Sequence, residues 1–174
     1  MKSKRFRPLV HSGATLVELV VVLGICALAF HLVMALGTFL NNISTRAALD
    51  DLYATCSYMR MKALVSGTQE IMTFKSDTKS YSWQETNTML PRAVEFGIIS
   101  GAKGPPSYPM HAIVQPITFK DSTIVFNPTG IMRPGTIYLV DSTHTYGYAL
   151  TISVATAHSY MRRYSYRGSW YRID

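Results

Sequence analysis

A chain of 174 residues with 48% hydrophobic and 16% charged positions carries enough apolar material to exclude a wholly disordered protein. With an N-terminal apolar run set aside, about 130 residues remain, room for one modest core and no second domain. The formal charge of +7 is not a general basic surface: without Lys2, Lys4, Arg5 and Arg7 it falls to +3, the surplus of Arg162, Arg163, Arg167 and Arg172 over Asp174.

Residues 1–13, basic and closed by Gly13, start like a secretory leader, yet no obvious small-residue cleavage site follows the apolar stretch. That stretch, Ala14 to about Leu40, is almost unbroken. About 20 of its residues as helix cross a hydrocarbon core. Positive charge before it and little just after it put the N-terminus in the cytoplasm and the rest outside. Glu18 is the lone carboxylate in the run. A charge there costs about 2.5–3.5 kcal/mol on insertion scales, so it marks a functional residue or one shallow enough to reach the interface. His31 falls roughly 220° around the helix from Glu18 and reads as a neutral histidine near the outer leaflet or against another helix. An uncleaved signal anchor has the same orientation but leaves Glu18 without a role.

Gly13-Ala14-Thr15-Leu16-Val17-Glu18 resembles the class III signal of type IV pilins and type II secretion pseudopilins, with Ala14 where phenylalanine usually stands. The resemblance implies a cut after Gly13 by a prepilin peptidase and methylation of Ala14. It also implies that Glu18 pairs with the Ala14 ammonium of a neighbouring subunit during filament assembly.

From Asn41 the helical period continues: Ile43, Ala47, Leu49, Leu52, Tyr53, Cys56, Met59, Ala63 and Leu64 predict an amphipathic continuation over 41–67, with Gly67 ending it. Cys26 and Cys56 then lie about 45 Å apart along one helix, which excludes a disulfide between them; both are expected to pack as small apolar residues. Ser57 to Gly67 is similar to the same region of GspH/FimT-type minor pseudopilins.

Beyond Gly67 the period shortens to two. Gln69–Phe74 and Ser80–Gln84 flank a turn at residues 76–79, and Ala93–Ile99 is a further strand candidate. Ser100–Pro109, rich in glycine and proline, is a loop. Strands are expected at Thr123–Phe126, Thr136–Val140, Gly147–Val154 and Ser159–Tyr166, with turns at Asn127–Gly130 and Arg133–Gly135. The run Phe126-Asn-Pro-Thr-Gly130, then Pro134-Gly135-Thr-Ile-Tyr-Leu139 and Ala149-Leu-Thr-Ile-Ser153, is similar to the C-terminal half of the GspH/FimT domain. Residues 86–116 match no named pattern.

No nucleophile elbow, H-E-x-x-H, P-loop or C-x-x-C is present, and the histidines and carboxylates are scattered. The chain reads as a non-enzyme with no cofactor and no metal, the rival being a membrane-anchored periplasmic enzyme. Tyr160 to Arg172 interleaves Arg162, Arg163, Arg167 and Arg172 with Tyr160, Tyr164, Tyr166, Trp170 and Tyr171. That composition suits a closing strand pair with aromatics inward and arginines outward. It also suits phosphate neutralisation and base stacking on DNA, or contact with another subunit or a secreted substrate. Some FimT-like minor pilins bind DNA through a C-terminal Gly-Arg-x-Arg motif; here the order is reversed, as Arg167-Gly168.

The expectation is therefore an α+β, pilin-like chain. It has a cleaved leader (1–13), a transmembrane and filament-core helix (14–40), its amphipathic continuation (41–67) and a periplasmic antiparallel β-sheet head (68–174). The resemblance implies a minor pseudopilin of a type II secretion-like pseudopilus or type IV pilus. It is single-pass in the bacterial inner membrane, with prepilin peptidase, other pseudopilins or pilins, and inner-membrane lipid as partners. The alternative is a FimT-like minor pilin that binds DNA in natural transformation.

Overall fold

The computed structural model describes residues 15–104, 110–155 and 158–173. Gly13 and Ala14, and the prolines of the 105–109 loop, lie outside them. The chain falls into two units, residues 1–38 and 39–174.

A single helix, α1 (Leu16–Ser66), 51 residues long, carries the N-terminal third of the described residues. From Leu16 to Leu40 its large apolar side chains are exposed all round, among them Val20, Leu23, Leu28, Phe30, Leu36 and Leu40. A helix apolar on every face is stable only in lipid or among other helices. The His31 Nδ1–H donates to the Ala27 carbonyl at 2.8 Å, so this polar group is satisfied by the helix's own backbone.

Within the second unit α1 turns one face to a core: Thr45, Ala48, Leu49, Leu52, Cys56, Met59 and Ala63 are buried. The stripe is rotated from its expected position, because Ile43, Ala47 and Leu64 are exposed. Thr45 enters it at little cost, its hydroxyl donating to the Asn41 carbonyl at 2.8 Å. Gly67, at φ 67°, ends the helix, and its N–H donates to the Ala63 carbonyl at 3.1 Å.

Among the described residues nine strands follow: β1 (Glu70–Lys75), β2 (Ser80–Trp83), β3 (Thr86–Met89), β4 (Val94–Phe96), β5 (Thr123–Phe126), β6 (Gly135–Asp141), β7 (Gly147–Ala155), β8 (His158–Tyr166) and β9 (Trp170–Ile173). They form two antiparallel sheets, ordered β3-β2-β1-β5 and β4-β6-β7-β8-β9. The antiparallel β head expected from the sequence is thus built of two sheets. β3 was not anticipated: Thr86-Asn87-Thr88-Met89 has no alternating apolar pattern, and the strand is held by its ladder to β2, Ser80 opposite Met89 and Trp83 opposite Thr86. Met72, Phe74, Tyr81, Ile124 and Phe126 from the first sheet and Ile137, Leu139, Leu150 and Ile152 from the second meet the buried face of α1 in one apolar cluster. Each such side chain contributes about 1.5–3 kcal/mol on burial, so the helix and both sheets stabilise one another.

Both cysteines are free. Cys56 packs in the core as expected, and burial pushes its thiol up to about 12. Cys26 differs: it is exposed on the apolar run.

Candidate functional site

At the start of α1, Thr15 and Glu18 hold each other. The Thr15 N–H donates to Glu18 Oε2 at 2.7 Å, the Thr15 hydroxyl to the same oxygen at 3.0 Å, and the Glu18 N–H to Thr15 Oγ1 at 3.2 Å. This is a capping box: the two residues satisfy donors that the first turn of a helix would otherwise leave open. The signal Thr-x-x-Glu was in the sequence, and Thr15 is the functional partner that reading overlooked. Among the described residues, both bonds received by the carboxylate fall on Oε2.

The C-terminal strands are set by the ladder between β7 and β8, in which Leu150 faces Arg163, Thr151 faces Arg162, and Ile152 faces Met161. Since Leu150 and Ile152 belong to the core, Met161 and Arg163 share their inner face, and Tyr160, Arg162, Tyr164 and Tyr166 take the outer one. The expected arrangement, aromatics inward and arginines outward, holds for Arg162 and Arg172 but is overturned for the tyrosines and for Arg163. Alternation gives a period but not a phase, and the phase follows the apolar residues of β7.

Arg163 is consumed within the subunit. Its Nη1–H donates to Asp50 Oδ1 at 2.6 Å, and the guanidinium carbon lies 4.7 Å from the Tyr53 ring centroid. Both partners are on α1, so Arg163 ties β8 to the helix. Arg162 is exposed, 5.8 Å from the Tyr160 ring centroid, and on the same face Arg172 stands opposite Tyr164. Arg167 sits in the β8–β9 turn, its backbone N–H bonded to the Ser169 carbonyl at 2.9 Å.

Trp170 is a structural residue. Its indole N–H donates to the Lys103 carbonyl at 2.7 Å, and its ring lies 5.5 Å from that of Tyr138 and 5.1 Å from that of Tyr166. Gly104 permits this seat, because a Cβ there would lie 2.8 Å from the indole nitrogen. Trp170 therefore binds the segment after β4 to the outer face of the second sheet. The five residues singled out at the C-terminus do not form one patch: Arg162 and Arg172 share a face, Arg163 lies on the other, and Trp170 is occupied.

Among the described residues no cluster of histidine, cysteine or carboxylate side chains has metal-binding geometry. The Glu95 carboxylate bridges Lys79 Nζ at 2.7 Å and His144 Nε2 at 2.8 Å, a half-exposed link between the β1–β2 turn, β4 and the β6–β7 turn.

Compared with models of known families, residues 48–157 match the one described as Type II transport protein GspH. No curated protein matches the chain, and neither does any solved structure.

Proposed function

Since this chain belongs to the type II transport protein GspH family, whose model covers more than half of it, we propose that it is a minor pseudopilin placed in a periplasmic filament by its N-terminal helix. At the family level the chain is a type II secretion pseudopilin, a structural subunit and not an enzyme, and its partners are other pseudopilins. The long apolar helix and the family together indicate a single-pass inner-membrane protein.

The observation that carries the proposal is the contrast along α1. Its first part is apolar and exposed on all sides, and its second part is built into a folded head. A prepilin peptidase removes residues 1–13, the Ala14 amine is methylated, and the head faces the periplasm. During assembly the Ala14 ammonium of one subunit meets Glu18 Oε1 of the next, and the apolar run exchanges lipid for neighbouring helices. A photocrosslinking amino acid at Leu28, in cells making the whole secretion system, should yield an adduct with the N-terminal helix of another pseudopilin. Adducts with lipid alone would contradict assembly through this helix.

A second reading, DNA contact, draws on Arg162 and Arg172 beside Tyr160 and Tyr164 on one outer face. If it holds, the full-length chain in detergent binds DNA with a log–log salt slope of magnitude about 2, one for each phosphate contact. Arg162→Gln with Arg172→Gln removes that slope, whereas Arg163→Gln leaves it. No binding at low salt leaves the secretion reading alone.

A further inference from the structure

Where α1 enters the head, a pocket of about 300 Å³ opens, lined by Asn42, Tyr146, Tyr148, Ser165, Tyr166 and Arg167 among others. At roughly 30 Å³ per water in the liquid, that is room for about ten waters, enough for a polar headgroup. Its walls mix tyrosine rings with hydrogen-bonding groups. The Tyr148 hydroxyl donates to Asn42 Oδ1, which commits the amide oxygen and leaves the Asn42 Nδ2 hydrogens as donors.

The pocket is also positive. Burial raises the titration of the Tyr148 hydroxyl, Arg46 and Arg167 act on it in the opposite sense, and Asp50 and Tyr146 add to the rise. Both guanidiniums thus lie within electrostatic reach of this wall. Asp50, the carboxylate of this neighbourhood, is held by Arg163. Among the described residues neither Arg46 nor Arg167 forms an ion pair. Arg167 therefore lines the cavity without an ion-pair partner among those residues, and Arg46 acts on its Tyr148 wall.

Its level along the helix is the decisive feature. Between Glu18 and Arg46 the chain carries no Asp, Glu, Lys or Arg. At 1.5 Å per residue Asn42 lies about 3 Å and Arg46 about 9 Å beyond Leu40, the last residue of the apolar run. The polar layer on each side of a bilayer is about 5–7 Å thick. A chain inserted through Leu40 thus holds this pocket at the height of lipid phosphates.

We infer that the pocket between Asn42, Tyr148 and Arg167, with Arg46 one helical turn beyond Asn42 on the same face of α1, binds a phosphate anion presented by the headgroup of an anionic phospholipid. The site rests on the membrane reading above. It would hold the unassembled subunit upright at the membrane surface, with lipid leaving as the helix passes into a filament.

The test uses the full-length chain in bilayers with spin-labelled phosphatidylglycerol or phosphatidylcholine, and reads the relative association of the two lipids. Wild type should favour phosphatidylglycerol. Each arginine near an anionic surface is worth about fivefold, so Arg46→Gln with Arg167→Gln should lose about 25-fold. Arg92→Gln with Arg133→Gln, an equal charge change at exposed positions elsewhere, should keep the preference. A second arm titrates inorganic phosphate into the protein in phosphatidylcholine bilayers. Saturable binding there that the Arg46 and Arg167 changes abolish, without lipid preference, would assign the same site to free phosphate and overturn the lipid source. Membrane-integrated protein with no selectivity in either arm, or selectivity lost equally in the control, would overturn the pocket. Release of the chain from membranes by carbonate would contradict the membrane reading itself, and the lipid source with it.

Discussion

Glu18→Gln should leave the chain inserted at least as well as wild type and keep it out of filaments. Glutamine serves in a capping box nearly as glutamate does, so the bonds with Thr15 persist and the first turn stays closed. What disappears is the negative charge available to an ammonium. Insertion should improve slightly, since a charge costing about 2.5–3.5 kcal/mol is removed. Assembly should fail, because a neighbouring N-terminus taken into apolar surroundings would find no counter-charge there. Glu18→Ala removes the cap as well and adds about 0.5–2 kcal/mol of helix fraying. The comparison separates the two roles: normal complementation by Glu18→Gln together with failure of Glu18→Ala would mean that Glu18 acts only as a cap.

Asp141→Ala should be the most damaging change among the head's polar residues. Asp141 is fully buried. Its Oδ1 accepts the Thr145 N–H at 2.8 Å and the Tyr146 N–H at 2.6 Å, and its Oδ2 accepts the Thr143 N–H at 3.2 Å and the Thr143 hydroxyl. One carboxylate thus shapes the whole β6–β7 turn and aims Tyr146 and Tyr148 at α1. Hydrogen bonds to a charged group are worth about 1.5–3 kcal/mol each. Water that enters the turn once the side chain is removed can replace part of this, which gives a net loss of about 2–4 kcal/mol in denaturant unfolding.

The pH dependence follows from the same contacts. Burial pushes the Asp141 carboxyl up, but the Thr143 hydroxyl and the N–H groups of Tyr146, Thr143 and Thr145 outweigh it and leave the group below its ordinary range. A carboxyl lowered in the folded state contributes stability above its unfolded value of about 3.9 and loses it as pH falls through the folded one. The stability gap between wild type and Asp141→Asn should therefore be constant from pH 7 to about 5 and close below about 4. A gap that widened on acidification would contradict the assigned contacts.

Contiguous features were the legible ones. The apolar run, the Gly67 stop and the hairpin at residues 76–79 each depend on neighbours in sequence, and each stands where the pattern puts it. Features closed by distant partners were not legible. Arg163 looks solvent-facing until Asp50 and Tyr53, on a helix more than a hundred residues earlier, are brought beneath it. Trp170 suits base stacking until Lys103 and Tyr138 occupy it. The division of nine strands between two sheets is likewise a matter of long-range pairing, as where β1 takes β5 as its second neighbour. Glu18 was legible as a charge out of place, whereas its cap went unread although both residues stand within one turn.

Processing at Gly13 tests the proposed assembly most directly, because that proposal needs a free amine at Ala14 as the partner of Glu18. Mass spectrometry of the membrane-extracted protein should find a chain starting at N-methylated Ala14. In Gly13→Val, where a β-branched side chain occupies the position that the peptidase must fit, residues 1–13 should be retained. Wild-type chains in mature membranes that still carry Met1–Gly13 would contradict the account.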